Sequence, residues 1–494
     1  MDWQEEYKRK LASAEEAVKI VKSGDRVAVG GSIDEPNLLT EALFARRDEL
    51  RDVKMVHMCP SSDHGWCQPG NEDSFQTEIL AFVGPVVRHR AHDRLVSLIP
   101  NDLHFSAKEN ERANERKDFD VFMVTMSSSD EQGYCCFGHE LWFKKDWAAK
   151  AKKVIAEADR NRRRVCGDTK IHVSEVDYFV EYSGKQITDD ELPQSVAHVE
   201  PEEKRERMIE YLRMQLPHMR PRWLGIFESL DVAGLDSLAE TMAWIVPKGL
   251  EKTLETIAGH VNLLINSGDT FQIGQGMPSV FLPLLGCFDG KEDLGYHGEI
   301  MARGLATMVK EGQITGKYKT LNPNKAVVNS FVGSTAAEYD YGAANPKFEV
   351  RSAIYITDPQ VIAAHDNMVA INNAVSIDLT GQMNAESLFG GLVLNGPGGQ
   401  PCFQLGALMS KGGKAITVMR SAVMGGTVST IVPQFEPGTV VTVPRHYADY
   451  IVTEYGIAKL MGKNLRERAQ ELISVAHPDH RAELKQEAQR LFWP

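Results

Sequence analysis

The sequence predicts an α/β fold made of two tandem, similar domains. Short apolar runs alternate with helical stretches, a pattern typical of α/β layering. The chain has 494 residues, which exceeds the length at which a single hydrophobic core stops growing. A phrase with a Ser-Gly-Asp turn, an apolar run and a glycine occurs at 21–31 and again at 265–275. We therefore expect one α/β unit to occur twice along the chain.

A second segment extends the repeat and shows where the two copies differ. It covers 53–59 in the first copy and 293–299 in the second, and it reads as the next strand. In this alignment Cys59 of the first copy faces Glu299 of the second. A carboxylate that only one copy of a duplicated strand carries is where we look first for chemistry.

A further echo supports the duplication. Residues 176–181 resemble 448–454, and the echoes have the same order in both halves. Coincidence is the alternative for any single short echo, whereas two in the same order favour tandem related domains. The interpretation divides the chain into an N-terminal domain over 1–200, a charged linker over 201–229 and a C-terminal domain over 230–494.

The individual elements follow from local patterns. Short apolar runs next to Gly, Pro, Asn or Asp indicate strands, and longer stretches with apolar residues at helical spacing indicate helices. In the first half, these patterns predict a helix over 37–47 and strands over 25–31, 53–59, 119–126, 153–157 and within 171–182. In the second half, they predict helices over 250–265 and 277–285 and strands over 270–273, 326–331, 352–356, 374–379 and 415–420.

Composition and charge exclude several classes of function. Hydrophobic residues make up 43% and charged residues 25% of the chain, as in ordinary soluble globular proteins. The net charge of −13 argues against nucleic-acid binding, which needs a basic face, but it does not exclude a small anionic ligand. No apolar run is long enough to cross a bilayer, and the charged N-terminus lacks the apolar region of a signal peptide. We expect a cytoplasmic protein without a membrane partner.

Cysteine and histidine spacing predicts neither disulfides nor a metal site. The seven cysteines are scattered, and no pair of CxxC motifs occurs. Reduced thiols in a cytosolic protein are the simple interpretation. His477 and His480 are three residues apart, but Pro478-Asp479 between them reads more simply as a helix start, and zinc would need further ligands.

Glu299 is the candidate catalytic residue. It lies where a strand of the second copy should end, and open α/β sheets bind ligands outside the carboxyl ends of their strands. An ionised glutamate can act as a nucleophile without a partner base. Gly298 beside it leaves room for a ligand. The alternative is a surface carboxylate or a member of an ion pair.

Two glycine-rich segments are candidates for ligand binding. Gly274-Gln275-Gly276 joins a strand to a helix, where backbone N–H groups can hold an anion or a developing oxyanion. The GxGxxG fingerprint is broken at Ser279, so a nicotinamide cofactor is not favoured. The second segment, 381–414, carries the pairs Gly390-Gly391 and Gly398-Gly399. It reads as a ligand loop or, alternatively, as a set of tight turns.

Several longer stretches together resemble one known family. They are 155–157 with 171–178, 378–382, 398–400 with 410–414, 450–456, and 466–469 with 476–479. In these stretches the chain resembles the acetyl-CoA hydrolase/transferase family, that is, the class I CoA-transferases of the 4-hydroxybutyrate, butyrate and succinate:acetate type. The resemblance runs from about Val21 to Leu484.

The resemblance implies a fold and a set of site residues. The fold is a pair of similar CoA-transferase α/β domains with the active site at their interface. The family's nucleophile is a glutamate in a Gly-x-His-x-Glu setting, which falls on Glu299. The oxyanion and CoA-binding residues that we predict are Gly274, Gln275, Gly276, Gly398, Gly399 and Lys414.

The chain also departs from the family pattern. Gly298 stands where a threonine is common, Pro401-Cys402 replaces a hydrophobic-Asp pair, and the linker is longer than usual. These departures concern the acyl pocket, and therefore the substrate, more than the reaction.

The function that the resemblance implies is CoA transfer between a short-chain acyl-CoA and a carboxylic acid, often acetate, by a ping-pong mechanism. The alternatives are an acyl-CoA hydrolase, a CoA-binding protein without turnover, and an NAD-linked oxidoreductase, which the broken fingerprint disfavours. We expect no metal and no permanently bound cofactor, with CoA entering as a substrate. The family makes a homo-oligomer, such as a dimer, the expected assembly.

Overall fold

The structure is a computed structural model that describes residues 2–104, 119–182, 184–388 and 391–494. The strands, in chain order, are β1 (Arg26–Val29), β2 (Val53–His57), β3 (Phe75–Ile79), β4 (Val96–Leu98), β5 (Val121–Ser127), β6 (Tyr134–Cys136), β7 (Lys153–Asp159), β8 (Lys170–His172), β9 (Tyr178–Tyr182), β10 (Thr270–Ile273), β11 (Gly295–Ile300), β12 (Ala326–Ser330), β13 (Phe348–Val350), β14 (Met368–Asn373), β15 (Ser376–Asp378), β16 (Met383–Asn384), β17 (Ser387–Leu388), β18 (Leu392–Val393), β19 (Lys414–Val418), β20 (Ala422–Val423), β21 (Val428–Ser429), β22 (Ile431–Val432), β23 (Tyr450–Thr453) and β24 (Gly456–Lys459).

The helices alternate with these strands along the chain. The α-helices of the described residues are Trp3–Arg9, Ala14–Ala17, Asn37–Ala45, Gly84–His92, Lys144–Lys150, Leu192–Ser195, Glu202–Arg213, Arg220–Glu228, Val232–Thr241, Glu251–Asn262, Leu305–Glu311, Ala336–Ala343, Ala353–Ile356, Pro359–Ala363, Gln400–Met409, Leu465–Val475 and Arg481–Phe492. Within the described ranges, no helix combines the length and the apolar character needed to cross a membrane.

The chain separates into two compact units. The first contains residues 1–239 and 329–354, and the second contains 240–328 and 355–494. The segment predicted as a charged linker, 201–229, forms two helices that group with the first unit. Two separate cores in a chain of this length agree with the limit on the size of a single core.

Each large sheet has the same order of strands. The first sheet runs β4-β3-β2-β1-β5-β7-β9, and the second runs β13-β12-β11-β10-β14-β19-β23-β24. Apart from the last strand β24, the second order repeats the first strand by strand. The pairings described at the centre of both sheets are parallel, for example β1 with β2 and β10 with β11. The predicted α/β fold with two similar tandem units is confirmed.

The repeated Ser-Gly-Asp phrase makes the same turn in both copies. The Ser23 hydroxyl accepts a hydrogen bond from the Arg51 backbone N–H at 2.9 Å, and the Ser267 hydroxyl accepts one from the Glu292 N–H at 3.0 Å. Each bond ties the turn before one strand to the turn before the next. The phrase therefore recurs because it forms the same junction twice.

The second echo also marks equivalent positions. The Asp177 carboxylate accepts from the Val154 backbone N–H at 2.9 Å, and the Asp449 carboxylate accepts from the Ala415 N–H at 3.1 Å. In each copy, the aspartate therefore fixes the start of one strand against its neighbour in the sheet.

The hydrogen-bond register corrects one residue correspondence. The first residue of β1 lies beside Lys54, and the first residue of β10 lies beside Gly295. Four residues further along the chain stand Met58 and Glu299. Met58, and not Cys59 as the sequence alignment suggested, is therefore the counterpart of Glu299.

Several predicted elements differ from the structure. The strand predicted over 352–356 is the helix Ala353–Ile356, so that prediction is wrong. The helix predicted over 277–285 is a 3₁₀-helix, Ser279–Leu284, which contains Pro283. A proline inside a helix removes one hydrogen-bond donor, which disfavours continuous α-helix there. Among the strands of the two large sheets, β3, β4, β13, β14, β23 and β24 were not predicted.

The cores lie on the faces of these sheets. In the second unit, helix Gln400–Met409 packs beside β14 and β19 through Phe403, Ala407, Met368 and Ala415, all buried. The helices Leu465–Val475 and Arg481–Phe492 contribute Leu472, Leu484 and their neighbours to a separate apolar cluster. This packing holds the ends of the central strands in fixed positions.

Candidate active site

Glu299 occupies the carboxyl end of β11, one residue before the strand ends. It is 7% exposed. Its Oε2 accepts a hydrogen bond of 3.3 Å from Nε2 of Gln272 on the neighbouring strand β10. The predicted position at a strand end is confirmed, whereas a fully exposed surface carboxylate is not what the structure contains.

The second glycine loop meets Glu299 directly. Gly398 has a φ of +60°, and Gly399 is the N-cap of helix Gln400–Met409. A Cβ atom built on Gly399 would lie 2.0 Å from Oε1 of Glu299. Because no real side chain tolerates that distance, only glycine allows the loop backbone to approach the carboxylate this closely. Gly398 and Gly399 thus lie at the site with Glu299.

The environment of Glu299 changes its proton affinity. Burial raises the pKa of this carboxyl to about 7, and hydrogen bonds from the Gln272 side chain and the Gly399 backbone oppose that rise. At neutral pH, both the protonated and the ionised forms are therefore populated. The ionised form is a nucleophile that needs no partner base.

A pair of side-chain amides stands behind Glu299. Gln272 donates from Nε2 to Oδ1 of Asn372 at 3.0 Å, and Asn372 returns a bond of 3.2 Å from Nδ2 to Oε1 of Gln272. Asn372 belongs to β14, which pairs with β10 on the side opposite β11. Sequence reasoning missed both residues. The signal that could have found Gln272 is a polar side chain inside an otherwise apolar strand just before the Gly-x-Gly loop.

The first glycine loop is held by the next residue of β14. Asn373 Nδ2 donates to the backbone oxygens of Gln275 at 3.0 Å and Gly276 at 3.2 Å. The Gln275 side chain points to Thr241, whose carbonyl accepts from it at 2.6 Å. Gly274 is the first residue after β10, the strand that carries Gln272. The loop of Gly274, Gln275 and Gly276 is thus fixed to the same strand ends as Glu299.

Gly298 fits its neighbour rather than an open pocket. A Cβ atom at Gly298 would lie 2.6 Å from Oη of Tyr296, which itself bonds the Ile300 carbonyl. The resemblance implied a threonine at this position; the chain has a glycine there, and the Tyr296 phenol occupies the space.

Lys414 does not join the other predicted site residues. It is the first residue of β19, and its nearest charged partner is Asp269, at 3.6 Å, just before β10 begins. Both residues lie at the amino ends of parallel strands, whereas Glu299 lies at a carboxyl end. Gly390 of the other predicted glycine pair falls outside the described residues.

One group of side chains in the described ranges has donor atoms close enough to hold a metal ion. It consists of Glu35, His57 and His64 in the first unit, with all ligand atoms within 4.8 Å of one another. Glu35 accepts from the His57 ring at 2.7 Å and contacts the His64 ring at 3.0 Å. These hydrogen bonds already pair the three groups with one another, and they belong to the first unit, whereas Glu299 belongs to the second.

The geometry defines a class of enzyme. A buried, partly ionised glutamate at the end of a parallel strand, beside a backbone glycine loop and an amide donor, suits an enzyme with a carboxylate nucleophile. Residues 1–188 match the acetyl-CoA hydrolase/transferase N-terminal domain, and 334–488 match the acetyl-CoA hydrolase/transferase C-terminal domain. The second range contains Gly398 and Gly399, whereas Glu299 lies between the two ranges.

Full-length relatives agree with this class. The chain is 34% identical over 493 residues to 4-hydroxybutyrate coenzyme A transferase of Clostridium kluyveri, with 100% of both chains covered. It is 29% identical over 511 residues to butyryl-CoA:acetate CoA-transferase of Anaerostipes caccae, covering 99% of this chain and 98% of that one. The crystal structure of RipA from Yersinia pestis superposes with a TM-score of 0.78 at 28% identity and covers 99% of both chains. The chain belongs to the acetyl-CoA hydrolase/transferase family.

Proposed function

We propose that this enzyme transfers CoA between a short-chain acyl-CoA and a carboxylic acid, with Glu299 as the nucleophile. The observation that carries the proposal is the contact between the Glu299 carboxylate and the Gly399 backbone, where a Cβ atom would come within 2.0 Å. This contact supports the proposal because it brings a carboxylate and a backbone N–H group together, as acyl transfer requires. That the protein is a CoA-transferase agrees with its similarity to such enzymes over the full chain.

The first step forms an anhydride. An Oε atom of ionised Glu299 attacks the thioester carbonyl carbon, and the negative charge moves to the carbonyl oxygen. Backbone N–H groups near Gln275 and Gly399 stabilise this oxyanion. The carbon–sulfur bond then breaks, so that CoA leaves as a thiolate and the acyl group remains on Glu299 as a mixed anhydride.

The second step stores CoA on the enzyme and completes the first half-reaction. The thiolate attacks the side-chain carbonyl carbon of Glu299, and the original acyl group leaves as a carboxylate. A glutamyl-CoA thioester remains, and a second carboxylate reverses both steps. No net proton transfer is needed, because the nucleophile, the leaving thiolate and both acids react as anions.

Burial of Glu299 favours transfer over hydrolysis. The anhydride and the thioester both react with water, so a site that limits water protects them. An acyl-CoA hydrolase remains the alternative because the same nucleophile serves both reactions. The rate of free CoA release, measured with and without acetate, separates the two: a transferase passes CoA to acetate faster than to water.

Kinetics and mass spectrometry test the mechanism. Parallel double-reciprocal plots are expected for the two substrates, because the first product leaves before the second acid binds. Incubation with acyl-CoA alone should add the mass of CoA less one water to the enzyme, because the departing acid takes one carboxylate oxygen, and Glu299→Gln should show neither this adduct nor transfer. Full transfer activity in Glu299→Gln would refute the assignment of the nucleophile.

The acids themselves are to be found by assay. The two relatives compared above are named for 4-hydroxybutyrate and for butyryl-CoA with acetate. A coupled assay over acetate, propionate, butyrate, succinate and hydroxy acids would identify the donor and the acceptor. We further propose that CoA is a substrate and not a bound cofactor, and that the protein is cytoplasmic and forms a homo-oligomer.

A further inference from the structure

The side-chain amide of Gln272 has four polar neighbours. Its Oε1 accepts from the Ile371 backbone N–H and from Asn372 Nδ2, each at 3.2 Å. Its Nε2 donates to Oδ1 of Asn372 at 3.0 Å and to Oε2 of Glu299 at 3.3 Å. Gln272 is fully buried and Asn372 is 3% exposed, so water does not compete for these bonds.

The Ile371 N–H and the Asn372 amide together set which way the Gln272 amide points. A backbone N–H can only donate, so the atom of Gln272 that faces Ile371 must be the oxygen. The opposite orientation would bring two N–H donors together at Ile371 and two oxygens together at Glu299. Asn372 reinforces the observed orientation because its own amide pairs head to tail with that of Gln272.

We propose that Asn372 is a positioning residue, which locks the Gln272 amide so that its N–H always faces the Glu299 carboxylate. This inference rests on the proposed function, because it assigns a role to the donor beside the proposed nucleophile. Asn372 has no direct hydrogen bond to Glu299 among the bonds described and acts through Gln272. Without Asn372, only the 3.2 Å bond from the Ile371 N–H opposes rotation of the Gln272 amide, so the amide turns more often and the donor to the ionised carboxylate is lost for part of the time.

Gly274, the first residue of the first glycine loop, supports this role. A Cβ atom on Gly274 would lie 2.4 Å from Oδ1 of Asn372. The missing side chain at Gly274 therefore leaves the space that the Asn372 carbonyl occupies. Gly274→Ala should push Asn372 away from Gln272 and reproduce the effect of removing Asn372.

The groups around Glu299 allow its ionisation to be followed through the pH dependence of the rate. Hydrogen bonds from Gln272 and Gly399, and not a charged side chain, oppose the effect of burial on its pKa. The titratable group that senses Glu299 is the buried phenol of Tyr296, whose pKa burial and the glutamate raise. Burial lowers the pKa of His297 on the same strand, so that imidazole is neutral where the enzyme is assayed.

The test is the pH dependence of kcat/KM for CoA transfer in Asn372→Ala. Losing a steady donor to the ionised carboxylate favours its protonated form, so the acidic limb should move to higher pH. A shift of about one unit would make kcat/KM about tenfold lower on the acidic side and leave it close to wild type at alkaline pH.

Asn373→Ala is the matched control. Asn373 is the next residue on the same strand, and it holds the loop through Gln275, Gly276 and Ser279 without contacting Gln272. Its removal should lower kcat/KM at every pH and leave the acidic limb in place. In a Gln272→Ala background, Asn372→Ala should cause no further movement of the limb, because Asn372 acts through Gln272.

Two results would overturn the inference: an unshifted limb in Asn372→Ala, or a full further shift when Gln272 is already alanine. If Asn372→Ala does not fold, Asn372→Ser and Gly274→Ala provide the same comparison. The proposed function is checked separately, by transfer in the wild type and its loss in Glu299→Gln. An unshifted limb with that loss intact rejects the role of Asn372 alone.

Discussion

The carboxyl ends of the two large sheets carry different chemistry on the same topology. In the second sheet, Glu299 is bonded to Gln272, and Asn372 stands behind it. The equivalent positions in the first sheet, by hydrogen-bond register, are Met58, Ala28 and Val124, all buried and none with a nitrogen or oxygen atom in its side chain. A duplicated fold has therefore kept its strands, while only the second copy carries Glu299, the proposed nucleophile, and its supporting amides.

The first sheet carries a buried cluster of charges at the corresponding edge. Asp34, in the loop after β1, contacts Arg162, Lys144 and Arg222. Although burial alone would raise it, these cations hold the pKa of Asp34 well below its usual range. Arg222 also pairs with Glu157 at 3.1 Å. Arg222 comes from a helix of the segment predicted as a linker, so this segment helps to complete the first unit.

One feature is common to both sheets. A polar side chain near the carboxyl end of one strand, β5 or β14, donates a hydrogen bond to the loop that follows the neighbouring strand, β1 or β10. The Thr125 hydroxyl donates to the Asp34 carbonyl at 2.7 Å in the first unit, and Asn373 donates to the Gln275 carbonyl at 3.0 Å in the second. Both units thus support this loop in the same way, whereas the side chains that we propose to act on a substrate differ between them. The residues that support the loop are therefore alike in the two units, whereas the proposed catalytic residues are not.

The largest effect is expected from removing the Glu299 carboxylate. Glu299→Gln should lower transfer by at least about 10³-fold, as loss of a nucleophile does in other covalent enzymes. Adding Met58→Glu should not restore activity, because the first sheet lacks the amide donors of the second. Steady-state CoA transfer measures both variants, and recovery of activity by the second change would mean that the two strand ends are interchangeable.

The charge cluster should matter for stability and not for chemistry. Asp34→Asn removes the one carboxylate that three buried cations share, so the free energy of unfolding should fall by about 3–5 kcal/mol. Lys153→Ala, which breaks a half-exposed pair with Asp177, is the control and should change it by about 0–1 kcal/mol. Denaturant unfolding measures both, and equal small effects would show that the cluster is not needed for stability.

The next effect in size is expected from the second glycine loop, whose backbone lies close to the Glu299 carboxylate. Gly399→Ala forces either the loop or Glu299 to move, since the added Cβ would meet Oε1 at 2.0 Å. Displacing one backbone donor should lower kcat by about 10²-fold. Gly249→Ala is the control for adding a methyl group, because nothing lies within 4 Å of its Cβ position, although its φ of +83° adds local strain. Near-normal kcat in Gly399→Ala would exclude this loop from the transition state.

The pH dependence should follow Glu299. With its pKa raised to about 7, kcat/KM should fall about tenfold per unit below that pH, as the carboxylate becomes protonated. A carboxyl whose pKa rises on folding destabilises the folded state once it ionises. Glu299→Gln should therefore unfold at a higher temperature than the wild type at pH 8, with a smaller difference at pH 5. A flat rate profile from pH 5 to 8 would contradict this account.

The smallest effect is expected at Lys414, which pairs with Asp269 at the amino ends of the strands. Lys414→Ala should leave kcat within about twofold of wild type, because a partly exposed pair contributes little. A large rise in the KM for acyl-CoA would instead support the CoA-binding role that the sequence predicted.

Much of the fold could be predicted from local pattern. The strand β10 has the predicted bounds, and the Ser-Gly-Asp turns recur with the same hydrogen bonds. The helix Ala353–Ile356 was mistaken for a strand because a short apolar run of four or five residues does not separate the two periods. The strand β14 was missed, although its buried residues lie at the centre of the second sheet.

The sequence by itself determined the duplicated α/β organisation, because turns, apolar runs and a repeated phrase are local signals, and it indicated Glu299 as the candidate nucleophile through its position and the family resemblance. Only the tertiary structure decided that Gln272 and Asn372, a hundred positions apart, meet behind that glutamate. The physical reason is the parallel sheet, which places strands distant in sequence side by side. The same register makes Met58 the counterpart of Glu299. Hydrogen bonds between strands, and not the alignment of the repeated sequences, set which residues are equivalent.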